Sequence, residues 1–417
     1  MGHVMPGQRI RVLMFAEAVT LAHVARPLSL ARSIDPDHHE ITLACDQRYA
    51  NFAAGGPWRH VELTSLPSAQ FMRALARGTP LYDLATLKSY VSQDLALIEA
   101  FHPDLVVGDF RLSLSVSARM AAVPYVAISN AYWSPAYPAG FALPVLPMTR
   151  VLPIPWAQAF FSAFQKPAFA AHCRPLNQLR LQHGLPSLGN NLRRIYTDAD
   201  HLLIADAPAL FPISPLPPDQ TFIGPLIWSP QIPLPGWWPE LSPDLPCVYV
   251  TLGSSGPPAL LAVVLQALRG LPVQVIASAA GAPLPDQVPS NAHVASYLPG
   301  DLATARSSLV VCNGGSLTVQ QALSVGTPVL GLASNMDQFM NMAAIEAAGA
   351  GRVLRTDRLS VASIREACQT LLQAPAYAAA ARRLSPFLVP SQSVAEVFER
   401  VARQLIQGKP TPSPTGS

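Results

Sequence analysis

The sequence predicts an α/β fold built from two parallel sheets, each covered by helices on both faces. Short apolar runs of strand length alternate with helical patterns along the chain, which is the order of elements in parallel sheets. The 417 residues are 50% hydrophobic, which is enough for two or three cores of ordinary size. Residues 226–246 are rich in proline and tryptophan and predict a stiff hinge between the two sheets.

Composition argues against several classes of protein. Only 13% of the residues are charged, and a net charge of +3 without a basic run does not indicate binding to nucleic acid. The five cysteines form no Cys-x-x-Cys pair, which indicates a reducing compartment without disulfides or a zinc site. No signal peptide is recognisable, and prolines interrupt every stretch of transmembrane length. We therefore expect a soluble cytoplasmic protein, a monomer or homodimer, and leave contact with a membrane surface open.

The first half opens with a predicted strand at residues 9–16 and a helix at 27–33. Because proline fits the first turn of a helix, His23 is expected on the loop between them. A later strand, at 103–109, ends in Asp109, so both residues would lie at the carboxyl edge of one parallel sheet. The other elements expected in this half are strands at 41–45, 61–63, 124–128, 199–205 and 222–226, and helices at 81–101, 115–122 and 156–184.

A histidine beside a carboxylate is a usable general base. An imidazole with a pKa of about 6.5 accepts protons near neutral pH, and a carboxylate on its far nitrogen fixes the tautomer. His23 and Asp109 are thus candidates for deprotonating a hydroxyl. Taken alone, a histidine near a strand end is more often a surface or capping residue, and that interpretation stays beside the catalytic one.

A proline-rich stretch at 133–156 carries three aromatic residues, Trp133, Tyr137 and Phe141. Recurring prolines exclude one regular helix or strand there. We expect the stretch to lie over the crevice as an apolar wall suited to an acceptor with rings or chains. A packed surface loop is the alternative interpretation.

The second half is organised around residues 309–341. An apolar strand runs into Asn313-Gly314-Gly315-Ser316 and then a helix, which directs backbone N–H groups and a helix dipole at one point where a phosphate can bind. A second parallel strand at 328–332 brings Asp337 and Gln338 beside the same crevice, where they can hold hydroxyls. Asn-Gly-Gly is also an ordinary turn, so spacing alone leaves both interpretations open. A similar anion-binding turn, Gly253-Ser254, follows the strand at 247–252.

These segments resemble a known family. The run CNGGSLTVQQAL (312–323), followed by Gly326-Thr327-Pro328 and by Asp337 to Asn341, is similar to the donor-binding signature of family 1 glycosyltransferases of GT-B fold. His23-Val24-Ala25-Arg26-Pro27 resembles the family's catalytic-histidine segment, with Ala22 where glycine is common, and 103–109 resembles the strand that carries its aspartate partner. The resemblance covers residues 10 to 407 and implies two Rossmann-like domains that face each other across a cleft.

The resemblance also implies an activity. The chain is expected to move a sugar, with inversion, from a UDP- or dTDP-sugar to a hydroxyl of a lipophilic small molecule, without a metal or other cofactor. His23 would be the base and Asp109 its partner, and Tyr297 would stack on the nucleotide base. The expected donor-binding residues are Gly253, Ser254, Tyr297, Leu298, Asn313, Gly314, Gly315, Ser316, Gln321, Asp337 and Gln338, and the expected acceptor-binding residues are Trp133, Tyr137 and Phe141.

Two positions depart from the family pattern. Asn313 stands where a histidine is usual, and Gln321 stands where a glutamate commonly binds the ribose hydroxyls. Both changes remove charge but keep hydrogen-bonding capacity, which suggests a retuned donor site. Two alternatives remain: a nucleotide-sugar epimerase or hydrolase on the same fold, and a non-catalytic nucleotide-sugar-binding partner protein.

The domain boundaries follow from the same patterns. We expect an acceptor-binding domain at 1–228, a linker at 229–246 and a donor-binding domain at 247–390. A helix at 391–407 is expected to cross back to the first domain, as in the family. The tail, 408–417, is expected to be disordered.

Overall fold

The first half of the chain forms a seven-stranded parallel sheet. The computed structural model describes residues 9–253, 256, 259–389 and 392–408. The strands of the first sheet are β1 (Ile10–Ala16), β2 (His39–Cys45), β3 (Arg59–Glu62), β4 (Leu105–Asp109), β5 (Tyr125–Ser129), β6 (His201–Ile204) and β7 (Gln220–Phe222). Their order across the sheet is β3-β2-β1-β4-β5-β6-β7.

Helices cover both faces of this sheet. They are α1 (Ala22–Ser33), α2 (Ala50–Ala53), α3 (Ser68–Arg77), α4 (Leu84–Phe101), α5 (Leu114–Met120), α6 (Ile154–Gln182) and α7 (Leu192–Thr197). Alternate residues of β1 enter different cores: Leu13 and Phe15 pack on one side of the sheet, whereas Val12 and Met14 pack on the other. This two-sided burial is the reason that the central strands read as continuous apolar runs.

The second half forms a six-stranded parallel sheet of the same type. Its strands are β8 (Cys247–Thr251), β9 (Gln274–Ser278), β10 (Ala292–Ala295), β11 (Leu309–Cys312), β12 (Val329–Ala333) and β13 (Gly351–Arg355), in the order β10-β9-β8-β11-β12-β13. Its helices are α8 (Ala259–Leu268), α9 (Gly300–Arg306), α10 (Ser316–Ser324), α11 (Met336–Ala347), α12 (Val361–Gln373), α13 (Pro375–Leu384) and α14 (Val394–Gln407). The predicted α/β fold with two parallel sheets is confirmed.

Each sheet has one point at which the strand order reverses. The reversal lies between β1 and β4 in the first sheet and between β8 and β11 in the second. Loops that leave the carboxyl ends of these strands run in opposite directions, which opens a crevice for ligands. Asp109 ends β4, and Asn313 directly follows β11. The topology therefore places both candidate sites at the crevices.

The start of α1 differs from the prediction. The helix begins at Ala22 and contains Pro27, so His23 lies in its first turn and not on the preceding loop. Proline lacks the N–H that would bond to the carbonyl of His23 four residues earlier, and this costs the helix one hydrogen bond near its end. The prediction that Pro27 begins the helix was wrong. The helix accommodates this proline in its second turn at the cost of the one hydrogen bond.

The last helix packs against the first sheet. Val397, Phe398 and Val401 of α14 belong to the core that contains β1 and β2. Of the predicted disordered tail, only Gly408 lies within the residues that the structure describes.

A buried ion cluster joins three elements beside the carboxyl edge of the first sheet. Arg111, which follows β4, donates to Glu17 Oε2 at 2.8 Å and to Asp94 Oδ1 at 3.0 Å. All three side chains are fully buried, and the guanidinium carbon lies 3.5 Å from the centre of the Tyr90 ring. The cluster connects the loop after β1, the loop after β4 and helix α4. It therefore holds in place the edge from which Asp109 projects.

Removal of this arginine is expected to destabilise the protein strongly. Arg111→Ala leaves two buried carboxylates without their cation, and the free energy of unfolding should fall by about 3–5 kcal/mol. Urea denaturation followed by circular dichroism measures this change. Arg403→Ala is the control, because Arg403 is exposed, its partner Glu399 keeps a second contact with His39, and loss of the pair should cost no more than about 1 kcal/mol. Equal effects of the two substitutions would contradict the assignment.

Candidate active site

A cleft with a cavity volume of about 450 Å³ lies between the carboxyl edges of the two sheets. Both halves of the chain contribute to its walls. His23, Asp109 and Asn130 line it from the first half, and Gly315 and Ser316 line it from the second. The two candidate sites predicted at separate strand ends therefore open into one space.

The structure brings His23 and Asp109 together. His23 Nδ1 lies 2.8 Å from Asp109 Oδ1, and the Asp109 side chain is fully buried. The imidazole retains 18% side-chain exposure and stacks on the Phe110 ring, with 4.8 Å between the ring centres. With Nδ1 engaged by the carboxylate, Nε2 is the ring nitrogen that can exchange a proton with a ligand.

Arg26 is a residue of this site that the sequence analysis missed. Its Nε donates to Asp109 Oδ2 at 2.7 Å, and its Nη2 donates to Asp109 Oδ1 at 2.8 Å. Burial alone would lower the pKa of Arg26, but the charge and hydrogen bonds of Asp109 raise it above the ordinary arginine value. Arg26 and His23 are three residues apart on α1 and share a face. That spacing could have identified Arg26 as a site residue, but the sequence analysis expected His23 on a loop, where the spacing has no such meaning.

Asn130 connects this cluster to the second half of the chain. Its Oδ1 accepts from Arg26 Nη1 at 2.6 Å and from Ser316 Oγ at 3.4 Å. Its Nδ2 donates to Asp206 Oδ1 at 3.1 Å. Asp206 also accepts a hydrogen bond from Gln320 of α10, and burial raises its pKa to about 6. A continuous polar network thus runs from His23 across the cleft to the first turns of α10.

The amino terminus of α10 faces the cavity. Gly315 precedes the helix, and no side chain in the described part of the structure caps it through a hydrogen bond. The residues of its first turn, Ser316, Leu317 and Thr318, line the cavity. Asn313 Oδ1 accepts from the Gly315 amide at 3.0 Å and so shapes the loop before the helix. Uncapped N–H groups and the positive end of a helix dipole form a site for an anion.

One predicted residue of the donor loops, Gly314, is not among the described residues that line the cavity. Gly314 has φ of +82° and faces Met342, because a Cβ there would lie 2.7 Å from Met342 Cγ. The missing Cβ lets the backbone pass Met342, and a contact between Gly314 and the donor stays a prediction. Gly253 lines the cavity with φ of +62°, whereas Ser254 lies outside the residues that the structure describes.

Three other predicted donor residues, Tyr297, Leu298 and Gln321, line the cavity. The Tyr297 ring meets Phe52 of the first half edge to face, with 5.4 Å between the ring centres. Gln321 is buried, and its Nε2 donates to the Trp228 carbonyl at 2.9 Å. This bond requires an amide N–H as donor. A glutamate at position 321 would place a carboxylate, which can only accept, against the Trp228 carbonyl oxygen.

Asp337 and Gln338 line the cavity but are partly engaged by the protein. Asp337 Oδ1 accepts from Trp133 Nε1 at 2.8 Å, which links the two halves of the chain across the cleft. Gln338 Oε1 accepts from the amide of Ser334 at 2.8 Å and caps helix α11 together with Asn335. The expectation that both side chains are available to hold sugar hydroxyls was therefore too simple, because part of their capacity stabilises the fold.

The structure places one of the three residues expected in the acceptor wall at the cavity. Trp133 lines the cavity, but Tyr137 and Phe141 are not among the described residues that do. Phe141 packs against Phe169 with 4.7 Å between ring centres, and the Arg193 guanidinium lies over both the Tyr137 and the Phe141 ring. These two aromatic rings pack on the buried Arg193, and a direct contact with the acceptor stays a prediction for them.

The apolar wall comes from other elements instead. Its side chains belong to α3, to α6 and to the turn that precedes α6. They are Phe71, Met72, Leu75, Leu146, Met148, Phe160, Phe161, Phe164 and Phe169. The sequence analysis did not predict α3 and did not assign a face of α6 to the cleft, so this wall was missed.

Two features are absent from the part of the chain that the structure describes. Within residues 9–253, 256, 259–389 and 392–408, no group of three or more His, Cys, Asp or Glu side chains has a metal-binding arrangement. No helix in the same part of the chain has the length and apolar character required to cross a membrane.

Comparison with known proteins identifies the family. Residues 262–403 match the model of the erythromycin biosynthesis protein CIII-like C-terminal domain. The chain is 48% identical over 383 residues to a PGL/p-HBAD biosynthesis glycosyltransferase of Mycobacterium tuberculosis, an alignment that spans 92% of this chain and 90% of that protein. It is 49% identical over 378 residues to a PGL/p-HBAD biosynthesis rhamnosyltransferase of Mycobacterium bovis, spanning 91% and 84% of the two chains.

Solved structures agree in fold. Spinosyn rhamnosyltransferase SpnG, which has also been solved with thymidine diphosphate, aligns over 95% of this chain and 100% of its own with a TM-score of 0.68 and 20% identity. That likeness shows the GT-B arrangement of two parallel-sheet units. Given the sequence identities over most of its length, the chain belongs to the family of the PGL/p-HBAD biosynthesis glycosyltransferases and is a glycosyltransferase of the GT-B, family 1 type.

Proposed function

We propose that this glycosyltransferase moves a sugar, with inversion, from a UDP- or dTDP-sugar to a hydroxyl of a lipophilic acceptor. His23 is the base and Asp109 its partner. One observation carries the proposal: the His23–Asp109 pair and the amino terminus of α10 both line the same cavity. A base and an anion site that face each other across a cleft are what a displacement at the anomeric carbon requires.

The base acts through its outer ring nitrogen. The acceptor hydroxyl gives its proton to His23 Nε2 as its oxygen forms a bond to the anomeric carbon. The bond from that carbon to the diphosphate oxygen breaks, and the diphosphate leaves with the electron pair. Attack from the face opposite the leaving group inverts the configuration. Asp109, on Nδ1, stabilises the imidazolium that forms.

The leaving diphosphate gains negative charge as its bond breaks. The amino terminus of α10, with Ser316, Leu317 and Thr318 at the cavity, is the group that we assign to this charge. Fixed backbone dipoles stabilise a developing charge more than the ground state, which lowers the barrier. With this role filled by the chain itself, the proposal requires no metal or other cofactor.

The choice of donor rests on the family and on two residues. A rhamnosyltransferase relative and a rhamnosyltransferase fold neighbour bound to thymidine diphosphate support a dTDP-linked deoxyhexose. Gln321 and Asn313 keep hydrogen-bonding capacity where the family usually carries ionisable groups. The Gln321 bond to the Trp228 carbonyl supports a donor pocket adapted to an amide at this position.

The acceptor is inferred from the cavity wall. Aromatic and aliphatic side chains of α3 and α6 dominate one side of the cleft, which suits a molecule with rings or alkyl chains. The names of the relatives, which refer to PGL/p-HBAD biosynthesis, support an acceptor of that class. An epimerase or hydrolase would have no use for such a wall.

Removal of the base should separate transfer from donor binding. His23→Ala is expected to lower kcat by about 10²–10⁴, because general-base assistance is lost, while calorimetric titration shows unchanged affinity for the donor nucleotide. His172→Ala is the matched control, since His172 also lines the cavity but lies away from Asp109. A variant that retains full transfer without His23 would contradict the mechanism.

Arg26 is expected to hold Asp109 in the position that orients the base. Its Nε and Nη2 both donate to the Asp109 carboxylate, so Arg26→Gln leaves this buried carboxylate without its cation. We expect kcat to fall by about tenfold or more, since hydrogen bonds to charged groups contribute about 1.5–3 kcal/mol, and initial rates at saturating donor and acceptor measure the change.

Arg26→Lys is the control for this loss. Lysine keeps the charge but loses the two-pronged contact with Asp109, so its kcat should lie between those of Arg26→Gln and the unaltered protein. Full kcat in Arg26→Gln would refute the positioning role of Arg26.

The donor pocket is tested at Gln321. Gln321→Glu removes the bond to the Trp228 carbonyl and should weaken nucleotide binding by about fivefold, or about 1 kcal/mol. Calorimetric titration with UDP, dTDP, GDP and their glucose conjugates gives the values. Asn313→His, which restores the residue usual in the family, is measured in parallel, and unchanged affinities in both variants would argue against a retuned donor site.

A further inference from the structure

The exposed face of α6 has a composition that the transfer reaction does not explain. Trp156, Phe160 and Phe164 stand four residues apart and therefore form one ridge along the helix. Their exposures are 72%, 50% and 53%, and the rings of Phe160 and Phe164 stack at 4.3 Å between centres. Three large aromatic side chains in a row on a helix surface mark an interaction site. We call this ridge the aromatic face.

The charged residues in the segment of chain that contains the aromatic face all have one sign. Between Asp109 and Asp198 the sequence contains no aspartate or glutamate but eight lysines and arginines. Of these, Arg150, Lys166 and Arg174 are exposed and lie on α6 or on the turn before it. Arg174 follows Trp156 by five helical turns and so shares its side of the helix. An apolar ridge on a helix that carries these exposed cations is complementary to a surface with anionic head groups above an apolar interior.

The aromatic face is continuous with the cavity. Phe160 and Phe164 are exposed on the helix surface and also line the cleft, next to the buried Phe161 and Phe169. A molecule held at the ridge would reach the apolar wall without leaving apolar surroundings. A helix that binds through one apolar ridge lies in the plane of an interface.

We infer that the aromatic face of α6 is a docking surface for anionic lipid membranes and the route by which a lipophilic acceptor enters the cleft. Trp156, Phe160 and Phe164 insert at the level of the head groups, where amphipathic aromatic rings are favoured. Arg150, Lys166 and Arg174 bind the lipid phosphates. The purpose of this surface rests on the proposed lipophilic acceptor, but its existence does not.

The test is binding of the full chain to vesicles, measured by flotation without donor or acceptor. Vesicles of phosphatidylcholine with a minor share of phosphatidylglycerol should bind the protein, and vesicles of phosphatidylcholine alone should bind it less. The combined variant Trp156→Ser, Lys166→Glu, Arg174→Glu should lower the partition coefficient by about tenfold or more, since each cation near such a surface contributes several-fold. None of these three residues lines the cavity.

A matched control makes the same change in net charge and removes one exposed aromatic side chain elsewhere. Phe387, Arg269 and Arg383 are exposed in the second half of the chain, and Phe387→Ser, Arg269→Glu, Arg383→Glu should leave vesicle binding as in the unaltered protein. Equal losses in both variants would overturn the inference, because net charge alone would then explain binding. Absence of vesicle binding by the unaltered protein would overturn it as well.

The remaining outcomes also decide the question. If sedimentation velocity shows a dimer that only the α6 variant dissociates, and vesicles do not bind, the ridge is an interface between two copies and the inference is wrong.

Transfer assays with a detergent-dispersed acceptor separate the two proposals. Vesicle binding without any transfer would refute the proposed function alone, whereas transfer without vesicle binding would refute only the docking surface.

Discussion

The arrangement of the site depends on one buried carboxylate. Asp109 is fully buried at the end of β4, and a charge in that position must be compensated by close partners. Arg26 supplies two hydrogen bonds and His23 a third. Both partners are presented by the first turns of α1, which must begin at Ala22 for the two side chains to share a face. The same hydrogen bonds thus compensate the charge of Asp109 and orient the imidazole of His23.

The same interaction extends to the opposite wall of the cleft. Arg26 holds Asn130, and Asn130 contacts Ser316 at the start of α10 and Asp206 beneath it. Gln320 of α10 donates to the Ala205 carbonyl and to Asp206, which joins α10 to the same network. The base and the helix terminus that we assign to the diphosphate are therefore joined through a few side chains. A shift of one sheet against the other would change both ends of the reaction together.

Polar and apolar tasks are divided between different elements. The carboxyl edges of the sheets carry the hydrogen-bonding groups, whereas α3 and α6 supply the apolar wall. Helix α6 has a second exposed face of aromatic residues that continues from this wall. An acceptor with a long apolar part would contact the protein along this helix before its hydroxyl meets His23. The position of α6 thus connects the proposed lipophilic acceptor with the proposed membrane-docking surface.

Much of the architecture and part of the site follow from local patterns in the sequence. Apolar strand runs, the helices between them, Asp109 at a strand end and the loop Asn313 to Ser316 before a helix are properties of short segments. Short segments are read correctly because period and turn chemistry act over a few residues. The sheet topology already predicted that His23 and Asp109 lie at one edge, and the resemblance to family 1 enzymes added the expectation that they act as base and partner.

Only the tertiary structure decided the partners of these groups. Arg26 on Asp109, Gln321 on the Trp228 carbonyl and Trp133 on Asp337 join residues far apart in sequence. The aromatic wall likewise depends on which faces of α3 and α6 meet the cleft, while Tyr137 and Phe141 turn to Arg193. Composition marks such side chains as apolar or charged. Which of them face a ligand depends on how the helices pack on the sheets, and that packing is a property of the whole chain.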